Sequence, residues 1–159
     1  MTIAAPLQLY EGKVLPEWID YNGHLNLAYY VLLFDYATDE FLDYIGLTED
    51  FRAEQVCSTF AAEAHINYLR ELKEGDKVRI STQLLDYDSK RFHYFHHMYH
   101  ADEGYLAATT ELLGLYMDMN SRRVAIMPES LQARLNDIKQ AHSALTKPEQ
   151  AGHIIKVKQ

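Results

Sequence analysis

Cysteine is almost missing from this sequence. Cys57 is the only one, so no disulfide can close within the chain, which suits a reducing cytoplasm. No stretch approaches the ~20 consecutive apolar residues that a membrane span needs. Residues 1–8 lack both a basic start and an apolar core of roughly 7–15 residues, so no signal peptide is expected. The expectation is a cytoplasmic protein with no membrane partner. Basic residues are the minority, 15 Lys and Arg against 23 Asp and Glu, for a net charge of −8. A nucleic-acid binder normally carries a basic footprint. No basic run occurs here, so a nucleic-acid partner is not expected. The sign argues against broad capture of anions but leaves room for a local basic patch.

What is present is 159 residues, 48% of them hydrophobic, about the size of one domain. A chain this long buries roughly two-thirds of its unfolded surface without metal or disulfide support. Tryptophan occurs once, but there are 12 Tyr and 6 Phe. Tyrosine suits strands and half-wet pockets, because its ring is apolar and its hydroxyl needs a partner.

Leu7–Leu15 reads as a strand closed by Pro16, followed by a polar loop to His24. Then Leu27, Tyr30, Val31, Phe34, Ala37, Thr38, Phe41, Leu42 and Ile45 recur at steps of three and four, which predicts a helix. Asn26 stands at its N-cap and Gly46 at its stop. Tyr29, Leu32, Leu33 and Tyr36 make it apolar over more than one stripe, so it is wrapped or interfacial. Residues 47–55 read as a polar connection. Strands follow at Val56–Leu69, Lys77–Tyr87, Arg91–Tyr99 and Tyr105–Met119, separated by turns at Glu74-Gly75-Asp76, Asp88-Ser89-Lys90 and Asp102-Glu103-Gly104. Val124–Met127 is extended, and Pro128 opens a helix to about Leu145. The order predicts an α+β fold in which one antiparallel sheet wraps the long helix. A single domain over residues 1–145 is expected, with a tail of undetermined structure over 146–159.

The chemistry concentrates in Trp18-Ile19-Asp20-Tyr21-Asn22-Gly23-His24-Leu25-Asn26. Asp20 lies six residues before the cap. The first helical N–H groups, near Leu27 and Ala28, have no partners within the helix and sit at the positive end of its dipole. A carbonyl oxygen bound there would be polarised as in an oxyanion hole. Gly23 lets the backbone come close to a ligand. A carboxylate, a histidine and a bare helix N-terminus are components for acyl transfer to water. The plainer reading is that Asp and Asn before a helix are caps and turn formers.

The stretch Asp20-Tyr21-Asn22-Gly23-His24-Leu25-Asn26, followed by Tyr29-Tyr30 and the long helix, resembles the signature of hotdog-fold thioesterases related to 4-hydroxybenzoyl-CoA thioesterase. The run from Ile66 to Asp76 resembles that family's second strand and turn, and Met127-Pro128-Glu129 its closing segment. The resemblance covers roughly residues 7–145. It implies a five- to six-stranded antiparallel sheet around a central helix, with a C-terminal helix. It implies an acyl-CoA substrate, and a homodimer or dimer of dimers. Hydrolysis then needs no cofactor, because coenzyme A is part of the substrate. Asp20 matches the catalytic Asp, acting as nucleophile or as base. Gly23 matches the loop glycine, and the N–H near Leu27 the oxyanion donor. Asn26 orients substrate or simply caps the helix. His24 protonates the leaving thiolate or hydrogen-bonds the loop. In a shared dimer Asp35, Asp39 and Glu63 are candidate second carboxylates.

His93, His96, His97 and His100 invite a metal reading, which strand geometry opposes. His93 and His97 share one face and His96 and His100 the other, each pair about 13 Å apart. Zinc needs ligands within about 2.1 Å, so no metal site is expected. Arg122, Arg123 and Arg70 are the candidates to grip CoA phosphates, with Lys73, Lys90 and Arg91 also near strand ends. Trp18, Tyr21, Tyr30 and Tyr68, with Tyr29, flank the motif as candidate acyl-pocket residues, and aromatic rings can cage a quaternary ammonium. Glu17 through His24 also resembles thioesterases that accompany carnitine dehydrogenases, which implies a short cationic acyl group, that of betainyl-CoA. Two rivals remain. A hotdog-fold enoyl-CoA hydratase would use an Asp-x-Asn-Pro-x-His pattern; here Gly23 replaces the proline and His24 comes one residue early. A non-catalytic acyl-CoA-binding module would have no need of Asp20.

Overall fold

The computed structural model describes residues 2–158. The chain runs through β1 (Leu7–Lys13), a 3-10 turn (Pro16–Trp18), α1 (Leu27–Ile45) and α2 (Glu49–Gln55). Then come β2 (Cys57–Tyr68), β3 (Lys77–Tyr87), β4 (Arg91–His100), β5 (Leu106–Asp118), β6 (Arg123–Val124) and α3 (Glu129–His142). The strands form one six-stranded sheet in the order β1-β3-β4-β5-β2, with β6 paired to the end of β5. Every pairing is antiparallel. The sheet curls around α1, which is the α+β hotdog arrangement.

Most of the residues that set the helical period hold α1 in place, joined by Leu33, while Leu27 and Val31 of that set are exposed. Tyr30, Leu33, Phe34, Ala37, Phe41, Leu42 and Ile45 are all buried. The Phe41 ring lies 5.1 Å from Tyr94 and 6.3 Å from Phe92, centroid to centroid. Gly114 makes room for that packing, because a Cβ there would come within 2.6 Å of the Phe92 ring. At the helix start the Asn26 side chain accepts the Ala28 N–H, and at its end Gly46 is left-handed at φ 103°. Both are the expected caps.

Three details differ from the sequence reading. Residues 47–55 are not merely a connection, because α2 forms there, capped by Thr48 Oγ1 on the Phe51 N–H. None of its seven residues is buried, so it carries no hydrophobic period to read. α3 ends at His142 rather than near Leu145. The stretch expected to be extended over Val124–Met127 starts one residue earlier and pairs with β5 only at Arg123 and Val124.

The histidines of β4 face opposite sides, as the strand period requires, and His93, His96 and His100 each have polar partners. His93 Nε2 meets Glu111 at 2.6 Å. His100 lies 3.3 Å from Asp76. His96 is fully buried beneath α1, with Thr38 Oγ1 at 2.9 Å from Nε2 and Thr82 Oγ1 at 2.9 Å from Nδ1. Its ring stacks on Phe34 with 7° between planes. Burial pushes this imidazole down to about 3, and burial also lowers His97 and His142.

β2 forms one edge of the sheet. It is 12 residues long, and residues 60–64 in its middle are exposed. Long open edges invite pairing with another chain. Among the described residues no helix is long and apolar enough to cross a membrane.

The buried histidines fix the sign of an acid response. A depressed folded-state pKa means the unfolded chain binds the proton first. Stability should hold above pH ~6.5, the ordinary histidine value, and fall progressively toward pH ~3 as His96 resists protonation. Urea unfolding across that window should show a loss of several kcal/mol. The slope should flatten in His96→Gln; an unchanged slope would assign the acid response to other groups.

Candidate active site

The segment from Trp18 to α1 is a short loop tied at both ends. Ile19 and Leu25 form an isolated antiparallel bridge. The Asp20 N–H donates to His24 O at 3.2 Å, and the Gly23 N–H to Asp20 O at 3.0 Å. The base of the loop is held from outside: the Leu25 N–H donates to Leu72 O at 2.8 Å and the Asn26 N–H to Trp18 O at 2.9 Å. Gly23 is left-handed at φ 80°, and nothing lies within 4 Å of where its Cβ would stand. Backbone conformation, not crowding, calls for glycine at that position.

Asp20 is half-buried at the root of this loop. Its Oδ1 accepts the Asn22 N–H at 2.8 Å, and its Oδ2 accepts from Asn26 Nδ2 at 3.3 Å. The same Asn26 side chain accepts the Ala28 N–H through Oδ1 at 2.9 Å. One amide therefore joins the carboxylate to the first turn of α1. The sequence offered capping and substrate orientation as alternatives for Asn26. The cap is present, and its other end holds Asp20, a link foreshadowed only by the six-residue spacing. The cap takes the Ala28 N–H and Asn26 O takes the Tyr29 N–H. Among the described residues this leaves Leu27 as the helical N–H nearest the loop without a protein acceptor, one residue narrower than the expected Leu27–Ala28 pair. His24 is half-buried, with Nδ1 3.2 Å from Leu25 O.

The aromatic residues divide into three groups. Trp18 is buried and stacks on Tyr29 at 5.4 Å with 13° between planes. Tyr30 is buried and meets Tyr68 edge-on at 5.2 Å. Tyr68 is exposed and its hydroxyl donates to Leu27 O at 3.4 Å, which puts it over the start of α1. Trp18 and Tyr30 belong to the core cluster behind the loop, so Tyr29 and Tyr68 are the rings that reach its open side. Tyr21 is 97% exposed at the loop tip and walls nothing within this chain. Burial raises the Tyr30 hydroxyl to about 12 and moves Tyr68 in the same direction.

The basic residues do not converge within one chain. The Arg70 guanidinium lies 4.0 Å over the Tyr105 ring, just past the end of β2. Arg70 O also accepts from the Tyr30 hydroxyl, so this arginine belongs to the Asp20 end of the molecule. Arg122, left-handed at φ 57°, lies 5.8 Å over Phe60 near the start of β2, and Arg123 follows in β6. The eight residue steps from Phe60 to Tyr68 span about 26 Å of strand.

The candidate second carboxylates divide as well. Asp35 and Asp39 are exposed on α1, and Asp39 is raised by desolvation and by the nearby Asp35 charge. Glu63 faces the other way. It lines a cavity of about 580 Å³ on the sheet face opposite α1, together with His65, Arg91, His93 and Glu111. It cannot reach the Asp20 of its own chain.

A family model described as the thioesterase-like superfamily matches residues 14–135. The chain is 42% identical over 149 residues to the betainyl-CoA thioesterase of Pseudomonas aeruginosa, covering 94% of each protein. It is 38% identical over 133 residues to the L-carnitine dehydrogenase/betainyl-CoA thioesterase of Agrobacterium fabrum, matching 84% of this chain and 27% of that longer protein. A Staphylococcus aureus protein solved in complex with CoA superposes with a TM-score of 0.90 at 29% identity, over 99% of this chain and 100% of that one.

The double role of Asn26 separates two variants. Asn26→Ala should lower stability by ~1 kcal/mol through loss of the cap. Asn26→Ser, which still caps, should recover most of that in urea unfolding. Equal losses in the two would mean that the cap is not what the side chain contributes.

Proposed function

The chain belongs to the thioesterase-like superfamily and is a thioester hydrolase; from that premise we propose that it hydrolyses betainyl-CoA, with Asp20 as the reacting carboxylate. The observation that carries the assignment of Asp20 is its tether. Asn26 holds the carboxylate against the N-terminus of α1, where the Leu27 N–H is free of protein acceptors. A thioester carbonyl with its oxygen at that N–H would present its carbon toward Asp20. The partial positive charge of the helix end stabilises the oxyanion as the tetrahedral centre forms.

Two routes use the same atoms. As nucleophile, an Asp20 oxygen bonds to the acyl carbon, the C–S bond breaks, and water then cleaves the resulting anhydride to regenerate the carboxylate. As general base, Asp20 takes a proton from a water that attacks the carbon directly. In both routes the CoA thiolate leaves and must gain a proton, and His24 is the nearest imidazole in the loop to supply it. Water is the only co-reactant, so no cofactor is required.

The cationic acyl group is supported by the relatives' names and by the rings beside the loop. Tyr29 and Tyr68 present aromatic faces at the start of α1, and a quaternary ammonium over such a face gains cation–π energy without needing a hydrogen-bond partner. A homodimer through β2 fits the CoA end of the substrate. Antiparallel pairing of two β2 edges would bring Arg122 and Arg123 of one copy beside the Asp20 end of the other, next to Arg70. Phosphates gripped there would lie across the subunit boundary. A dimer of dimers would extend the same unit.

Thiol release from acetyl-, butyryl- and betainyl-CoA tests the reading. Betainyl-CoA should give the highest kcat/KM, and Asp20→Asn should lose at least about a hundredfold, roughly 2.7 kcal/mol of barrier. Asn26→Ser should lose kcat while remaining folded, because the tether is gone. Equal rates on all three esters would remove the cationic specificity. No release from any of them, with hydration of crotonyl-CoA, would favour the hydratase.

A further inference from the structure

The residues after α3 cross the outer face of the sheet, the face turned away from α1. Their contacts fall on successive strands. Thr146 O accepts from Gln83 Nε2 on β3. The Gly152 N–H donates to Glu111 Oε1 on β5 at 2.7 Å. The His153 ring meets His65 on β2 edge-on at 5.6 Å. The path therefore runs perpendicular to the strands, from β3 through β5 to β2, and β2 is the last strand. Residues 154–158 follow with no further strand of their own chain ahead of them.

Those residues are unlike an ordinary solvated tail. Ile154, Ile155 and Val157 are 75%, 83% and 90% exposed. Three large aliphatic side chains in four positions are a surface that favours burial. Lys156 and Lys158 alternate with them, so the segment is apolar and positively charged.

A matching surface exists on the same molecule. The 580 Å³ cavity on the outer face is lined by the Leu113 side chain and by the carboxylates of Glu63, Asp86, Asp88 and Glu111. Asp86 and Asp88 are paired with Lys139 and Arg91, and Glu111 with His93. Glu63 has no ion-pair partner among the described residues. The cavity begins on β2 itself, at Glu63, Ala64 and His65.

We propose that residues 154–158 form an arm that reaches over the β2 edge and docks on the outer-face cavity of a second copy of this chain, reciprocally in both directions. The proposal rests on the homodimer through β2 put forward above. Two identical antiparallel edges pair about an axis perpendicular to the sheet, so the outer face of one copy continues as the outer face of the other. Five extended residues reach about 17 Å, and strands lie ~4.8 Å apart. The arm thus spans about three strands of the second copy, starting with the β2 on which its cavity opens. The aliphatic residues would cover Leu113, and Lys156 or Lys158 would meet Glu63. The arm cannot serve its own cavity in the same way, because it leaves the sheet at β2 already heading outward. The occupant is thus a second copy of this chain, held by an apolar and basic segment on an apolar and acidic hollow.

Cysteine exchange and sedimentation test this together. Chains carrying Ile155→Cys and chains carrying Leu113→Cys are mixed and oxidised, with each variant alone as control. Disulfide-linked pairs in the mixture, beyond those of either control, are the expected result. A chain carrying both substitutions that closes only on itself would overturn the proposal. In parallel, a chain stopped after His153, and Ile155→Asp in the whole chain, should each raise the dimer dissociation constant at least tenfold in analytical ultracentrifugation. A dimer that persists with unchanged affinity in both variants would overturn the arm while leaving the homodimer intact. A whole chain that sediments as a monomer at all concentrations would overturn the homodimer, and the arm with it.

Discussion

The constraint on which everything else depends is the burial of α1. A 19-residue helix with seven buried apolar residues needs a sheet that bends to meet it, although Leu27, Val31 and Tyr36 stay exposed within the chain. The curl of the sheet answers that need, and the strand order follows from it. β3 and β4 lie at the centre, where Ile80, Met98 and Phe92 meet the helix core, and β1 closes one side. α1 packs against β1, β3 and β4. β2 is left at the rim with both its edge and its middle residues open.

The same burial underlies the role proposed for the loop. A helix fixed along its whole length has a fixed N-terminus, so the dipole and the free Leu27 N–H point in one direction. Asn26 converts that direction into a position for Asp20 by bonding the carboxylate with one end of its amide and the Ala28 N–H with the other. The loop base is pinned to Leu72 and Trp18 by backbone bonds. Preorganised donors and carboxylates cost no rearrangement when charge develops, which is where most electrostatic catalysis originates. Beneath the helix His96 illustrates the other side of low polarity: an imidazole satisfied by two threonine hydroxyls and held neutral far below its ordinary range.

Much of this was legible before any coordinates. The period of α1 and its caps at Asn26 and Gly46, the turns between strands, and the opposite facing of His93 and His96 are local properties. Each follows from spacing along a few residues. The helix α2 was not legible, because Phe51 and Ala53 are its only apolar residues and they set no period. Nor was the division of the aromatics: Trp18, Tyr21, Tyr30 and Tyr68 look alike in a sequence, yet two are core, one is at a loop tip and one covers the start of α1.

The sequence by itself determined which residue types gather before the helix and therefore what chemistry the segment can support. It could do so because Asp20, Gly23, His24 and Asn26 lie within seven positions, where chain connectivity alone brings them together. Only the tertiary structure decided which groups sit on the same side of the sheet. Glu63 and Asp20, both carboxylates near the motif's reach, end on opposite faces. Arg70 and Arg122, both offered for phosphate, end near opposite ends of β2. Those outcomes depend on strand register and on the curl around α1, which are set by packing between residues far apart in the chain.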